Sequence, residues 1–135
     1  MALPNGAGGY QVGPGNRAET VMGAMAAPQT ATATATLTAA QIVNQMLVAN
    51  PGTSAATYTL PLGTAIDTAV PNATVGSTFD LAIVNIGTSS GAVTLAVNTG
   101  VTDGGNAVVT LAVTTSGLFR FRKTGDGTYV VYRLG

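Results

Sequence analysis

The side chains best suited to acid–base or metal chemistry in this sequence are five carboxylates spread along the chain: Glu19, Asp67, Asp80, Asp103 and Asp126. Two carboxylates that converge on one bond can act as general acid and nucleophile. Asp103 and Asp126, however, both lie in glycine-rich turn sequence, where aspartate is favoured because its side chain hydrogen-bonds the backbone. The stretch 103–106 also lacks the number of oxygen ligands that an EF-hand loop supplies to calcium. We therefore expect structural roles for these carboxylates.

Other catalytic groups are missing from the sequence. It contains no histidine and no cysteine, which removes the commonest general base, a common metal ligand and any thiol chemistry. Serine and threonine hydroxyls are plentiful, but a hydroxyl nucleophile needs a neighbouring base. The glycines at 6–9 do not form a phosphate-binding loop, since no strand precedes them and no Lys-Ser/Thr pair follows. The sequence predicts a protein that is not an enzyme and has no cofactor or metal.

Charge is unusually scarce. Charged residues make up 7% of the chain, and five Lys/Arg balance five Asp/Glu, against roughly 25% charged residues in ordinary domains. Such a chain has no long-range field to attract nucleic acid or an anionic membrane. It also contains no run of 18 apolar residues that could span a membrane. With 46% hydrophobic residues and no repulsion between copies, we expect assembly with other subunits and neither nucleic acid nor membrane as a partner.

The only dense positive charge lies near the C-terminus. Arg120, Arg122, Lys123 and Arg133 could line one face of a closing hairpin. That face could bind an anionic partner, or its cations could pair with Asp80 or Asp67 across a sheet or a subunit boundary. Cross-strand ion pairs are the commoner outcome.

The C-terminal part, residues 77–134, consists of five short β-branched and aromatic runs separated by turn residues, which predicts an antiparallel sandwich or barrel. The run 78–86 is apolar on both faces. One face carries Phe79, Leu81 and Ile83, and the other carries Ala82, Val84 and Ile86. A strand of this kind is expected to be covered by a second sheet on one side and by another subunit on the other.

Turn residues predict how these runs connect. We expect 87–91 to form a hairpin turn from which 92–97 pairs back on 78–86, and the Asp-Gly of 124–127 to form a second hairpin. The motif VTLAV occurs at 93–97 and again at 109–113, which indicates two equivalent strands. In the run 118–122, Phe119 and Phe121 share one face and Leu118, Arg120 and Arg122 the other.

The preceding part of the chain combines short helices with strands. The stretch 38–41 is a capping box, which predicts a short helix that gives way near Gln45 to an extended 46–48; a single helix to Ala49 is the alternative. A strand at 57–60 ends at a proline, and a second short helix is predicted over 63–70.

The first 29 residues form a segment of different composition, rich in glycine and proline, ahead of a β-domain at 30–135. They are either a disordered terminus or an arm that orders on docking to a partner. The alternating run 30–38 predicts a strand or an extended tether that joins this arm to the domain. The residues that we expect to dock are Pro4, Tyr10, Arg17, Glu19, Met22 and Met25.

The order of these motifs resembles the C-terminal β-rich module of tailed-bacteriophage head decoration (cement) and head-fibre proteins. The similarity covers roughly residues 36–134. It is carried by the threonine-alanine-alanine-glutamine helix start, a tyrosine-threonine-leucine-proline strand, a phenylalanine strand ending in isoleucine-x-asparagine, a valine-threonine-leucine strand and a final valine-tyrosine-arginine-leucine. These motifs stand at 38–41, 58–61, 76–85, 93–95 and 131–134.

The resemblance implies a small β-sandwich or jelly-roll-like module that assembles as a homotrimer on the exterior of the phage head. There it would clamp neighbouring copies of the major capsid protein, as a virion component assembled in the host cytoplasm. Our own inference places docking to the shell in the N-terminal arm. The candidate residues for the core and the trimer contacts are Phe79, Ile83, Val84, Ile86, Leu95, Val97, Phe119 and Phe121.

A fibre or receptor-binding knob that recognises host glycans is the alternative. Glycan sites usually offer an exposed aromatic platform with polar neighbours. The sequence has no tryptophan, and Tyr58, Tyr129 and Tyr132 lie within predicted strands, which weighs against this alternative.

Overall fold

The computed structural model describes residues 22–135 of the chain, which form ten strands and two short helices. In chain order these elements are β1 Gln29–Ala31, β2 Ala35–Thr36, α1 Ala39–Val43, β3 Met46–Ala49, β4 Ala56–Thr59, α2 Gly63–Ala69, β5 Thr78–Asn85, β6 Val93–Ala96, β7 Val101–Asp103, β8 Thr110–Leu111, β9 Ser116–Gly125 and β10 Thr128–Arg133. The β-rich character expected from the sequence is therefore confirmed.

The strands form two sheets of unequal size. The larger has six strands in the order β1-β3-β5-β9-β10-β7, and the smaller has four in the order β2-β4-β6-β8. The strand directions differ from the antiparallel arrangement that we expected. Five of the eight pairings are parallel: β1–β3, β3–β5, β7–β10, β2–β4 and β4–β6. From β1 to β9, successive strands alternate between the two sheets. This alternation allows neighbours within one sheet to run in the same direction.

One hydrophobic core joins the two sheets. The inward faces of β5, β9 and β10 contribute Leu81, Ile83, Phe119, Phe121 and Val131, while the smaller sheet contributes Tyr58, Leu95 and Leu111. The rings of Phe79 and Phe121, which are register partners on β5 and β9, stack 4.8 Å apart and nearly parallel. Each ring adds apolar area removed from water, which is the main favourable term in folding.

The first helix begins and ends as its local sequence predicts. The Thr38 hydroxyl accepts from the Gln41 amide at 3.2 Å, and the Gln41 side chain accepts from the Thr38 amide at 2.8 Å, so the capping box is present. After one turn the chain reverses at Gln45, whose φ of 77° lies in the left-handed region. The extended β3 follows at once, so the single helix to Ala49 is wrong.

The connection after β5 is not the hairpin predicted from its glycines. Strand β6 pairs with β4 and β8 in the smaller sheet, and β9 takes the place beside β5. The buried side chain of Asn85 explains the crossing. Its amide nitrogen donates to the carbonyls of Gly91, Leu111 and Ala112, and its oxygen accepts from the Gly87 amide at 2.8 Å. The loop is thereby held to β8 of the other sheet.

The two VTLAV copies meet in that smaller sheet. Strand β6 pairs antiparallel with β8, with Val93 opposite Leu111 and Thr94 opposite Thr110. The hydroxyls of the two threonines lie 2.9 Å apart. The second copy forms only a two-residue strand, so the repeated motif gives neighbouring strands of unequal length.

The C-terminal hairpin follows its predicted pattern. Strands β9 and β10 pair antiparallel around Asp126 and Gly127. Burial alternates strictly along β9, with Phe119 and Phe121 inward and Leu118 and Arg120 outward. The pattern continues through Lys123, which therefore points inward.

Candidate functional site

The outer face of the six-stranded sheet carries several apolar side chains that are exposed or half-buried in the described chain. Alternation along β3, β5, β9 and β10 turns one set of side chains away from the core, and the strand register places them side by side. We call this set the outer strip, and it consists of Met46, Val48, Ala82, Val84, Leu118 and Tyr132. Leu118 is 39% exposed and Tyr132 is 38% exposed. Met46, Ala82 and Leu118 form one row across the sheet and Val48 and Val84 the next, while Tyr132 lies in the row of Asp80 and Arg120. Exposed apolar side chains grouped on one sheet face are typical of an interaction site.

A single ion pair crosses this face. Asp80 lies opposite Arg120, and Arg120 lies opposite Tyr132. The Arg120 guanidinium donates to both carboxylate oxygens of Asp80, at 2.7 and 3.0 Å. These hydrogen bonds lower the pKa of Asp80, and the neighbouring carboxylate raises the pKa of Arg120. The pair compensates its own charge, so it adds no net charge to the outer strip.

The residues predicted for the core and trimer contacts fall into three environments. Ile83, Leu95, Phe119 and Phe121 lie in the core, and Phe79 and Val97 pack against it while partly buried. Val84 is half-buried on the outer strip, and Ile86, just beyond the end of β5, is 48% exposed. Only Val84 and Ile86 of this set are thus placed to meet another molecule through an outward side chain.

The residues predicted for docking lie mostly outside the described part of the chain: Pro4, Tyr10, Arg17 and Glu19. Of the two that the structure describes, Met22 is 86% exposed and Met25 is 46% exposed. Both precede β1, whose first residue, Gln29, belongs to the sheet although we had assigned it to the arm. The two methionines are therefore available for contact, next to the edge of the larger sheet.

A second polar cluster, which we call the Asp67 cluster, joins α2 to the β9–β10 hairpin. Lys123 donates to one oxygen of the Asp67 carboxylate at 2.7 Å, and the Tyr129 hydroxyl donates to the same oxygen. The Gly127 amide donates to the other oxygen. Lys123 points into the protein, which corrects the prediction that it shares a face with Arg120 and Arg122; residue 123 has the opposite strand parity.

Close backbone contact brings these groups together. A β-carbon on Gly63, the first residue of α2, would lie 1.9 Å from the carbonyl oxygen of Gly127. Gly127 itself has φ 64°, a conformation that favours glycine. The helix therefore rests directly on the hairpin turn, and Asp67 reaches the turn one helical turn later.

The protonation states of the Asp67 cluster follow from these contacts. The hydrogen bond from Lys123, followed by those from Tyr129 and Gly127, lowers the pKa of Asp67 from 3.8 to about 2. Burial and the hydrogen bond to Asp67 raise the pKa of Tyr129 well above its usual value. The carboxylate is ionised and the phenol neutral at ordinary pH. With three donors on one carboxylate, the arrangement favours a structural junction over a general base.

Asp103 has the turn-forming role that its sequence context indicates. One carboxylate oxygen accepts from the amides of Ala107 and Gly105, at 2.8 and 2.9 Å. These backbone hydrogen bonds lower the pKa of Asp103. The neighbouring Asn106 side chain both donates to and accepts from the backbone of Arg133, each at 3.0 Å, and so closes the loop against the end of β10.

The described residues offer no obvious place for a metal. Among residues 22–135, no group of three or more His, Cys, Asp and Glu side chains lies close enough to hold a metal ion. In the same part of the chain, every fully buried side-chain nitrogen and oxygen has a hydrogen-bond partner.

Sequence reasoning missed three features of these surfaces. The burial of Lys123 could have been found from the strand parity of β9, and the exposure of Tyr132 from that of β10. The role of Asn85 had a weaker signal, an asparagine at the end of an apolar strand.

Neither helix in the described range is long and apolar enough to cross a membrane. Comparisons of the chain with protein-family models, with curated proteins and with solved structures gave no match.

Proposed function

We propose that this chain is a non-enzymatic decoration protein that binds the outer surface of a phage head as a homotrimer and stabilises it by bridging neighbouring capsid subunits. The observation that carries the proposal is the outer strip, an apolar surface on a chain with zero net charge. The same face also carries the paired Asp80 and Arg120 and the exposed Arg122, so the apolar strip is the part of it suited to burial against another subunit.

Two regions of the chain have separate roles in the proposed assembly. Burial of the outer strip at about 25 cal/mol per Å² holds the trimer together. The N-terminal arms, including the exposed Met22 and Met25, contact the capsid. Three arms on one trimer raise the effective concentration of each arm once the first has docked, so weak single contacts add up to firm attachment.

The fold gives this proposal partial support. A jelly-roll-like sandwich is part of this proposal, as the module that the sequence resemblance implies. The two sheets with a shared core support it, whereas the parallel pairings depart from a purely antiparallel design.

The proposal is tested first by the mass of the purified chain, measured by light scattering on a sizing column. A mass about three times 13.3 kDa is expected for the full chain, and three times its own smaller chain mass for a version starting at Ala27, which keeps the whole of β1. Leu118→Glu should give monomers, because it places charge in the outer strip. The matched control is Val108→Glu, which alters a similarly exposed residue away from the strip and should leave the trimer intact. A monomeric parent chain would contradict the trimer.

Attachment is tested by cosedimentation with heads assembled from the capsid protein of the same genome. The full chain should sediment with the heads, and the version starting at Ala27, which lacks Met22 and Met25, should stay in the supernatant. Equal sedimentation of both would place docking in the β-domain and overturn the role of the arm.

One observation favours the alternative of glycan recognition. Tyr132 is 38% exposed and shares its row of the sheet with Arg120 and Asp80, so an aromatic face lies beside polar groups. A glycan array with the parent chain and with Tyr132→Ala tests this alternative. Binding that is lost in the variant would support a receptor-binding role, and an array without binding would exclude it.

A further inference from the structure

Residues 27–36 lie across the edges of both sheets, and we call them the edge strap. Its first half forms β1 and pairs with β3, and its second half forms β2 and pairs with β4. Every residue of the strap is exposed except Ala31, which is half-buried. Leu37, immediately after it, is 2% exposed and belongs to the core. The strap is therefore a surface addition that ends where the packed chain begins.

The rest of the protein holds this strap chiefly through its backbone, and the Thr34 hydroxyl also accepts from the Thr57 amide at 3.0 Å. Three side chains donate to strap carbonyls: Asn44 to Ala27 at 2.8 Å, Gln41 to Thr30 at 2.8 Å, and Tyr58 to Thr32 at 2.6 Å. The Asn50 amide also donates to the Ala31 carbonyl at 2.8 Å. We call the edges of β3 and β4, with Gln41, Asn44 and Tyr58, the seat. Recognition of carbonyl groups is the chemistry by which sheet edges take up an extended peptide.

The strap should leave the seat more readily than any core strand. Its departure exposes little apolar surface of its own, and water can replace the hydrogen bonds at its carbonyls. Segments held mainly by exposed backbone hydrogen bonds open locally at a lower free energy than buried strands do. The edges of β3 and β4 then become available to another extended segment.

We propose that the seat accepts the edge strap of a second copy of this chain, so that copies become linked by strand exchange. The same segment of another copy presents the same carbonyls at the same spacing, and its alternating threonine and alanine residues fit the same edges. The chain has zero net charge, so charge repulsion does not keep the copies apart. Exchange of an identical element is a low-cost way to join subunits. This inference does not depend on a capsid.

Introduced cysteines test the exchange directly, because the chain has none of its own. Thr30 on the strap and Val48 on the seat are register partners in adjacent strands, within the usual range for a disulfide. Thr30→Cys protein and isotopically heavy Val48→Cys protein are mixed, warmed below the melting temperature and oxidised. Mass spectrometry of the linked peptides then identifies the mixed 30–48 linkage. The control replaces the first partner with Thr124→Cys, an exposed β9 position outside strap and seat.

The proposal predicts a mixed 30–48 linkage at least about tenfold above the 124–48 control. The double variant with both cysteines in one chain verifies the geometry by closing an internal disulfide in unmixed, dilute protein. Internal closure together with no mixed linkage above the control would overturn strand exchange. Failure of the double variant to close would overturn the seat itself. Neither result bears on trimer mass or capsid binding, so the two proposals fail separately.

A second measurement separates exchange from random collision of thiols. Tyr58→Phe removes one donor to the strap and keeps the buried ring, so the rate of mixed linkage should rise about fivefold, the effect of one ordinary hydrogen bond. Tyr132→Phe on the outer strip should leave the rate unchanged. Equal rates in the two variants would contradict the role assigned to the seat.

Discussion

The two ion pairs found in residues 22–135 have the same length and different surroundings. Lys123 and Asp67 lie 2.7 Å apart with side-chain exposures of 9% and 26%, whereas Arg120 and Asp80 lie 2.7 Å apart with exposures of 46% and 41%. A charge pair in water gains little, because solvent screens it and holding two long side chains costs entropy. A buried charge that loses its partner is left without compensation. The comparison shows that surroundings, and not distance, decide how much each pair matters.

The largest effect is expected from breaking the buried pair. Lys123→Met leaves the Asp67 carboxylate, which is 26% exposed, without its counter-ion and with only the Tyr129 and Gly127 donors, and we expect a fall in the denaturant midpoint larger than that of Arg120→Ala. Denaturant unfolding measures this fall. The double variant Lys123→Met/Asp67→Asn removes both charges and should recover part of it, because the neutral amide can still accept from Tyr129 or Gly127. A double variant that is less stable than the sum of the two single changes predicts would contradict this account.

A smaller effect is expected from the phenol that shares the carboxylate. Tyr129→Phe keeps the buried ring and removes the hydrogen bond to Asp67, which should lower the free energy of unfolding by about 2 kcal/mol, the value of a hydrogen bond to a charged group. Tyr132→Phe is the matched control, because its hydroxyl lies on the outer face, and it should unfold like the parent chain. Equal effects in the two variants would show that the Asp67 cluster is no more than a surface contact.

The pH dependence of stability should separate the two pairs further. The pKa of Asp67 is lowered to about 2 in the folded protein, so its contribution is complete above pH ~4 and disappears as the pH falls toward 2. The difference in melting temperature between the parent chain and Asp67→Asn should therefore close over this window. Because the pKa of Tyr129 is raised, its contribution should be complete below pH ~10 and be lost above it. A difference that persists unchanged to pH 2 would contradict the ionised state of Asp67.

The smallest effect is expected from breaking the exposed pair. Arg120→Ala should lower the melting temperature by less than about 3 °C at low salt. The difference from the parent chain should shrink further in 1 M salt, where charges are screened within about 3 Å. A fall as large as that of Lys123→Met would show that the outer face is less exposed in solution than in the single chain, as expected if another subunit covers it.

Alternation along a strand was readable from the sequence, and it gave the inward Phe119 and Phe121 and the outward Arg120. The same rule applied two residues further places Lys123 inward, although its charge suggested a surface position. Charge misled because a buried lysine requires a partner, and that partner, Asp67, lies 56 residues away in a separate helix.

Which strands are neighbours in the sheets was harder to predict from the sequence. The glycines at 87 and 91 are typical of a hairpin, but the chain crosses there to the other sheet, held by the side chain of Asn85. Parallel pairing between β3 and β5 depends on a connection of 28 residues that itself visits the smaller sheet. No pattern within a single strand distinguishes which of two sheets it joins. The outer strip was foreseen in part, because β5 is apolar on both faces, but its members on β3 and β10 required the register.

The sequence by itself determined the local features of this protein: the capping box at 38–41, the short helix α2, the Asp-Gly hairpin and the alternation of each long strand. Those features arise from side chains that interact with backbone within a few residues. The tertiary structure alone decided the mixed strand directions, the crossing at Asn85, the meeting of Asp67 with Lys123 and the position of the edge strap on both sheets. Those features depend on which distant segments pack together, and packing is settled by the fit of the whole core.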